Sequence, residues 1–118
     1  MANAFLCETV TAVGTTTSPA RTAIYTCPPS TETTIIGLSI SNIVTSQILV
    51  DVQLDASART SGAESAVFLV KEAPVPVGGS LVVVGGDQKV VLEPGDVLRV
   101  SSDTASSADV VLSHLDIT

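Results

Sequence analysis

Short apolar stretches, separated by turn residues at regular intervals, constrain this sequence more than any other feature. Clusters of Pro, Gly, Asn and Asp recur about every 8 to 12 residues, and no long stretch has apolar residues at helical spacing. Valine, isoleucine and threonine, whose branched side chains favour extended backbone, supply 39 of the 118 residues. This pattern predicts an all-β fold, namely a single β-sandwich or jelly-roll-like domain of about eight strands.

The first 20 residues differ from the rest of the chain. An apolar stretch, Ala4 to Val13, is followed by the polar segment Gly14 to Pro19, which has a structure-breaking residue at each end. We therefore expect residues 1 to 20 to form an N-terminal arm or an edge strand, and residues 21 to 118 to form the sandwich. An arm would contact a neighbouring subunit, whereas an edge strand would stay on its own sheet.

Two stretches alternate between apolar and polar residues as strands with one wet face do. In Thr33 to Asn42 the pattern places Ile36, Leu38 and Ile40 on the core face. Ile48 to Leu54 alternates in the same way and follows after five residues, a link that suits a hairpin or a short corner. We expect these two strands to pair with each other.

The remaining strands are shorter. Thr22 to Cys27 is expected at a sheet edge, because Pro28 and Pro29 lack the amide donors of a ladder. Further strands are predicted at Ala66 to Lys71, Leu81 to Val84, Lys89 to Leu92, Val97 to Ser101 and Asp109 to Ile117, with polar loops at 55 to 65 and 103 to 108. Leu49, Leu98 and Leu112 are expected to face outwards, where neighbouring subunits would cover them.

The charge balance disfavours two classes of partner. The net charge is −7, and the five basic residues are spread singly along the chain, whereas nucleic acid requires clustered Lys and Arg. The same shortage disfavours anionic membrane surfaces, and no apolar run approaches the ~20 residues of a spanning helix. We expect no nucleic-acid partner and no membrane partner. The first 14 residues lack the basic start of a secretory signal, which indicates cytoplasmic synthesis.

The two cysteines and the single histidine do not form a recognisable reactive motif. Cys7 and Cys27 are 20 positions apart, a spacing that matches no redox or zinc motif. They are expected to be free and mostly buried; the alternative is a disulfide between the N-terminal segment and the first core strand. His114 shares a strand face with Val110 and Leu112, and we expect it to be a partly buried or surface residue rather than a catalytic one.

No other constellation predicts chemistry. Asp51 and Asp55 could form an oxygen-rich calcium site together with Asp103 or Asp109. Solvated carboxylates are favoured because the chain has no calcium-loop motif. The glycine pairs at 78–79 and 85–86 do not open a helix, so they are turn residues rather than a phosphate loop. We therefore predict no enzymatic activity, no catalytic, metal or cofactor-binding residues, and no cofactor.

Several blocks of the sequence, in this order, resemble small virion structural proteins of tailed bacteriophages, most closely those of marine cyanobacterial phages. These blocks are residues 22 to 28, the stretch Thr34 to Leu54, residues 76 to 92, the Pro94-Gly95-Asp96 turn and the C-terminal strand. The resemblance covers roughly residues 20 to 118. It implies a capsid decoration (cement) protein, or an accessory at the neck or tail, and it carries over no functional residues.

The residues and the resemblance together lead to a functional expectation. We expect a capsid decoration protein that binds the major capsid protein or other virion proteins, stabilises the outer shell and forms a homo-oligomer, a trimer. It would be located in the virion and assembled in the cytoplasm of the host bacterium. The alternatives are a neck or tail subunit and, less favoured because the chain has only three aromatic residues, a carbohydrate-binding module of a host-recognition fibre.

Overall fold

The computed structural model describes residues 3–15, 22–56, 66–85 and 89–118, and within them the chain forms nine β-strands and no helix. The strands are β1 (Asn3–Val13), β2 (Thr22–Thr26), β3 (Glu32–Asn42), β4 (Ile48–Asp55), β5 (Ala66–Val75), β6 (Ser80–Val84), β7 (Val90–Leu92), β8 (Val97–Ser102) and β9 (Ala108–Ile117). The predicted all-β class is therefore confirmed.

The strands form two antiparallel sheets that pack against each other as a sandwich. Sheet A has the order β1-β9-β3-β6, with β7 also paired to β3, and sheet B has the order β2-β8-β4-β5. Apart from the β4–β5 hairpin and the successive strands β6 and β7, the chain crosses from one sheet to the other after each strand. This is the strand order of a jelly roll.

The core lies between the sheets and consists almost entirely of aliphatic side chains. On β4 the predicted alternation is confirmed, since Ile48, Val50 and Val52 are fully buried. On β8 and β9 the buried residues include Leu98 and Leu112. The expectation that these two leucines face outwards is wrong. On β8, Val97 and Arg99 are on the outer face and Leu98 is on the core face; on β9, Leu112 shares the core face with Val110 and His114.

The predicted pairing of β3 with β4 is also wrong. The two strands lie in different sheets: β3 pairs with β9, β6 and β7, while β4 pairs with β5 and β8. The link between them is a corner that the buried Asn42 side chain organises. Its Nδ2 donates to the carbonyl oxygens of Ser46 (2.8 Å) and Val75 (3.0 Å), and its Oδ1 accepts from the amide of Val44 (2.9 Å).

A β-bulge changes which residues of β3 reach the core. The register with β9 shifts between Ile35 and Gly37, so Ile35 and Leu38 are both buried while Ile36 is only half-buried. The prediction that Ile36 lies on the core face is therefore wrong, because the extra residue of a bulge reverses the inward and outward positions on one side of it.

The edge strands of the two sheets agree in part with the predictions from the sequence. β2 is an edge strand, as predicted, and it pairs with β8. β5 continues beyond Lys71 to Val75 and includes Pro74, because this strand also lies at an edge, where a missing amide donor is tolerated. β1 pairs with β9 of its own chain from Asn3 opposite Ile117 to Val10 opposite Val110, and after an irregularity ends with Val13 opposite Ala108. The expectation that residues 1 to 20 contact a neighbour stays a prediction.

Candidate functional site

A buried polar cluster around His114 is one of two features that stand out in the described residues. His114 is on β9, fully buried, between the ends of the two sheets. Its Nε2 lies 3.0 Å from Oε2 of Glu8 on β1, and its Nδ1 lies 2.8 Å from Oδ1 of Asp116. The Tyr25 ring of β2 packs against the imidazole with 4.3 Å between the ring centroids.

Asp116 is the acceptor at which the cluster converges. Thr33 Oγ1 donates to Asp116 Oδ1 (2.9 Å), and the Tyr25 hydroxyl lies 3.0 Å from both carboxylate oxygens. Cys27 Sγ lies 3.4 Å from Thr33 Oγ1 at the inner end of the cluster. The cluster therefore joins β1, β2, β3 and β9, and so it connects the two sheets.

The surroundings shift three pKa values in the cluster. Burial by itself would raise the pKa of Asp116, but the hydrogen bonds from Thr33, His114 and Tyr25 outweigh it and hold the pKa below its usual value. Burial, with a smaller contribution from Asp116, raises the pKa of Tyr25 to about 12. Burial also raises the pKa of the Cys27 thiol.

The geometry of the cluster suits a structural role. Each ring nitrogen of His114 faces a carboxylate oxygen, so neither is directed at a hydroxyl or thiol that it could activate. Among the described residues, every buried side-chain nitrogen or oxygen has a hydrogen-bond partner. The cluster therefore ties β1 to β9 and β2, and the expectation that the protein is not an enzyme stays a prediction.

The aspartates that the sequence offers as a possible calcium site have other hydrogen-bond partners. Asp51 accepts from the amide of Glu72 (2.7 Å), Asp103 from the amide of Leu49 (3.0 Å) and Asp109 from Thr11 and Ala12. Each of these carboxylates therefore binds a neighbouring segment that is distant in the sequence. Within the residues that the structure describes, no group of three or more His, Cys, Asp or Glu side chains is arranged to hold a metal ion.

The cysteines differ in exposure. Both are free thiols, but only Cys27 is buried, whereas Cys7 is exposed on β1. The expectation that both are mostly buried is therefore wrong for Cys7, because Cys7 lies on the outer side of β1. Over the described part of the chain, no helix is long and apolar enough to cross a membrane.

The expectation that His114 is a partly buried or surface residue is wrong, because it lies on the core face of β9 and is fully buried, and the sequence analysis does not identify its partners. Asp116 could have been found, because it lies two residues from His114 and so on the same face of one strand. Glu8 could not, because it is 106 positions away and reaches His114 only through the pairing of β1 with β9.

The second feature is the free edge of β1. This 11-residue strand is the terminal strand of sheet A, and in the described residues it pairs only with β9. Glu8, the one charged residue in β1, is directed at His114, and the strand has no proline or lysine. Phe5 is 78% exposed and Leu6 44% exposed. The edge therefore lacks the charges and prolines that usually prevent strand addition.

Comparisons with known proteins bear on the fold alone. No family model and no curated protein matches this sequence. One similar solved structure comes from the Bacillus endospore appendages, a family of disulfide-linked pili; the match covers 99% of this chain and 87% of that one, at 13% identity and a TM-score of 0.51. At this identity the likeness shows a shared β-sandwich architecture, and the resemblance to phage virion proteins stays a prediction.

Proposed function

We propose that this protein is a structural subunit that assembles in many copies, as a decoration protein on the outer surface of a virion shell. The observation that carries the proposal is the unprotected edge of β1, with Phe5 and Leu6 exposed beside it. An open edge of this length is a template on which a strand from another chain can pair, with main-chain hydrogen bonds at every second residue.

The sequence resemblance to virion structural proteins supports the location in a virion. A decoration protein needs a compact domain that tolerates exposure and a surface that fits its neighbours. The jelly roll meets the first need, since its core is held between two sheets, and the β1 edge meets the second. Homo-oligomerisation, with the major capsid protein as the further partner, belongs to the same proposal.

A second candidate is a subunit of a fibrous appendage. The observation in its favour is the shared fold with a subunit of disulfide-linked pili, together with the exposed thiol of Cys7. In such a fibre each copy would contact the next one head to tail, and the contact would repeat without closing.

Counting copies in purified particles separates these functions. Particles from a producing culture would be purified, the protein quantified by mass spectrometry with an isotope-labelled standard, and its position found by electron microscopy with antibody-bound gold. Hundreds of copies spread over the shell would support decoration, a few dozen or fewer at one vertex would indicate the neck or tail, and label along filaments would indicate an appendage. Absence of the protein from every particle and filament would overturn the proposal of a structural subunit.

A further inference from the structure

Between its two ends, the outer face of sheet A is apolar and hydroxyl-rich. Directly paired residues of antiparallel strands project to the same side, so the register identifies this face. Its members are Asn3, Phe5, Cys7 and Thr9 of β1, Asp109, Val111, Ser113, Leu115 and Ile117 of β9, Glu32, Thr34, Gly37, Ser39 and Ser41 of β3, Ser80 and Val82 of β6, and Val91 of β7. Among them the charged residues, Glu32 and Asp109, are at opposite ends.

The outer face of sheet B has a different character. There β4 presents Asp51 and Asp55, and β8 presents Arg99, which lies 3.4 Å from Asp55. An antiparallel sandwich in water normally has charged outer faces of this kind. The uncharged centre of the other face, with Val82 65% exposed and Val91 55% exposed, therefore indicates a surface that a partner covers.

A groove opens in this face beside β3. Its volume is about 270 Å³, and it is lined by Gly37, Leu38, Ser39, Val82, Val84, Gly85, Val111 and Ser113. The groove exists because Gly37 has no side chain at the bulge, where β3 would otherwise present one to the surface. Its walls are mainly aliphatic, with two serine hydroxyls among its lining residues, so it fits an apolar side chain of aromatic size.

The same face carries a side chain that matches the groove. Phe5 on β1 projects from this face and is 78% exposed, more than any other large apolar residue in the described chain. A projection and a recess on one face define a two-fold axis, namely the line in the mean plane of the face that is the perpendicular bisector of the segment joining them. Rotation by half a turn about that axis places each projection in the recess of the other copy.

We propose that two copies of this chain pack face to face through the outer faces of sheet A, with Phe5 of each copy in the Gly37 groove of the other. This inference names the self-contact of the proposed structural subunit and so rests on that proposal. A second copy is the occupant because the projection and the recess belong to the same face.

Charge and size also fit a second copy. Each copy has a net charge of −7, so two copies repel each other, and a face whose centre is uncharged adds the least to that repulsion at contact. Four strands at ~4.8 Å spacing and about ten residues at ~3.3 Å each give a face of roughly 600 Å² before side-chain relief is counted. Stable interfaces bury about 800 Å² per partner, so the face is close to the required size.

Two single variants and a matched control test the contact. Phe5→Ser removes the projection. Gly37→Val fills the groove, and the strand tolerates it because a Cβ at Gly37 would come no closer than 3.7 Å to a neighbouring atom, the carbonyl oxygen of Val84. Phe68→Ser makes the same chemical change as Phe5→Ser on the half-exposed Phe68 of sheet B. Circular dichroism and urea unfolding would establish that each variant is folded.

Sedimentation equilibrium would then measure the dimer dissociation constant. We expect Phe5→Ser and Gly37→Val each to raise it at least tenfold, and Phe68→Ser to leave it unchanged. The decisive sample is an equimolar mixture of the first two variants. A mixed dimer regains one contact, because the Gly37→Val copy keeps Phe5 and the Phe5→Ser copy keeps the groove, so the mixture should associate more tightly than either variant alone.

The outcomes separate this inference from the proposed function. If the wild type self-associates and the two variants do so equally well, or if the mixture is no tighter than its components, the face-to-face contact is wrong while the structural function stands. If the wild type is a strict monomer at high concentration but is abundant in particles, the contact is again wrong and the function stands. Absence from particles together with an intact dimer would overturn the function and leave the contact.

Discussion

Tyr25 is the only tyrosine in a chain without tryptophan, so its ionisation can be followed without interference. Burial and the neighbouring Asp116 carboxylate raise the pKa of Tyr25 to about 12 in the folded protein. We expect tyrosinate absorbance in the near ultraviolet to appear at a pH more than one unit higher in native protein than in protein unfolded by urea.

The sign for stability follows from the raised pKa. Below the unfolded pKa of about 10, the Tyr25 hydroxyl is neutral in both states and its contribution to the free energy of unfolding is complete. This contribution is lost as the pH rises from about 10 towards 12. Asp116→Asn should lower the native titration midpoint, because it removes one of the groups that raise this pKa. Identical titrations in native and denatured wild type, with the native fold verified by circular dichroism, would contradict the partly buried position of the hydroxyl beside Asp116.

The two thiols should react at very different rates. Cys7 is exposed and Cys27 is buried with a raised pKa, and an alkylating reagent is attacked by a thiolate that it can reach. In dilute native protein we expect iodoacetamide to label one thiol per chain, and two after unfolding in urea. Cys7→Ser is the control and should show no native labelling. Labelling of Cys27 at the rate of Cys7 would show that the segment around Cys27 opens readily.

Within the cluster around His114, the contacts among Glu8, His114 and Asp116 hold β1 on the sandwich. Asp116→Asn weakens three hydrogen bonds and should lower the free energy of unfolding by about 2 kcal/mol at pH 7. Glu8→Gln should cost less, about 1 kcal/mol, because the Glu8 side chain is 40% exposed and water screens its charge. Urea denaturation measures both, and Glu32→Gln at an exposed position is the control.

The dependence of the free energy of unfolding on pH below about 4 tests the same contacts of Asp116. The pKa of Asp116 is lowered in the folded state, so its contribution to stability is complete above the unfolded value of about 4 and is lost as the pH falls further. The Asp116→Asn variant should therefore lose less stability than the wild type between about pH 4 and pH 2. Equal acid slopes in the two proteins would show that Asp116 is not held in this way.

The strands were predictable from the sequence to a larger extent than their partners. Alternation in β4 identified the residues that reach the core, because a two-residue period depends only on the local backbone. The same local pattern cannot distinguish a hairpin from a corner between sheets, which is why the predicted pairing of β4 with β3 is wrong. The Asn42 side chain decides this point through contacts with Ser46 and with Val75, 33 positions away.

The bulge in β3 and the His114 cluster show the same limit. A bulge depends on how two strands pair. No residue pattern around Gly37 predicts that Ile35 rather than Ile36 reaches the core. The cluster depends on four strands, of which only β9 could be read from the local pattern around His114 and Asp116. What failed in each case was long-range pairing, not the assignment of extended backbone.

For the whole molecule, the structure makes residues 3 to 13 part of the fold. Val13 is buried in the core and Glu8 closes the His114 cluster from the side of β1. A chain that begins at Ala20 would expose the free edge of β9 and leave His114 without one of its partners. We expect this truncation to lose cooperative unfolding in urea. A truncated chain that keeps wild-type stability would indicate that the N-terminal segment is a detachable arm.

The salt dependence of self-association depends on the molecule as a whole. Two copies with a net charge of −7 repel each other, and the outer face of sheet A contributes no charges at its centre that could attract them. Salt screens the repulsion over about 10 Å at 0.1 M while leaving an apolar contact intact. We therefore expect the dimer dissociation constant to fall severalfold between roughly 0.01 M and 0.3 M sodium chloride.

Sedimentation equilibrium across this series measures the effect, and the Phe5→Ser variant should remain weakly associated at every salt concentration. An interface built on ion pairs, such as one through Arg99 and the aspartates of sheet B, would respond in the opposite direction, so a dissociation constant that rises with salt would move the contact to the other face of the sandwich.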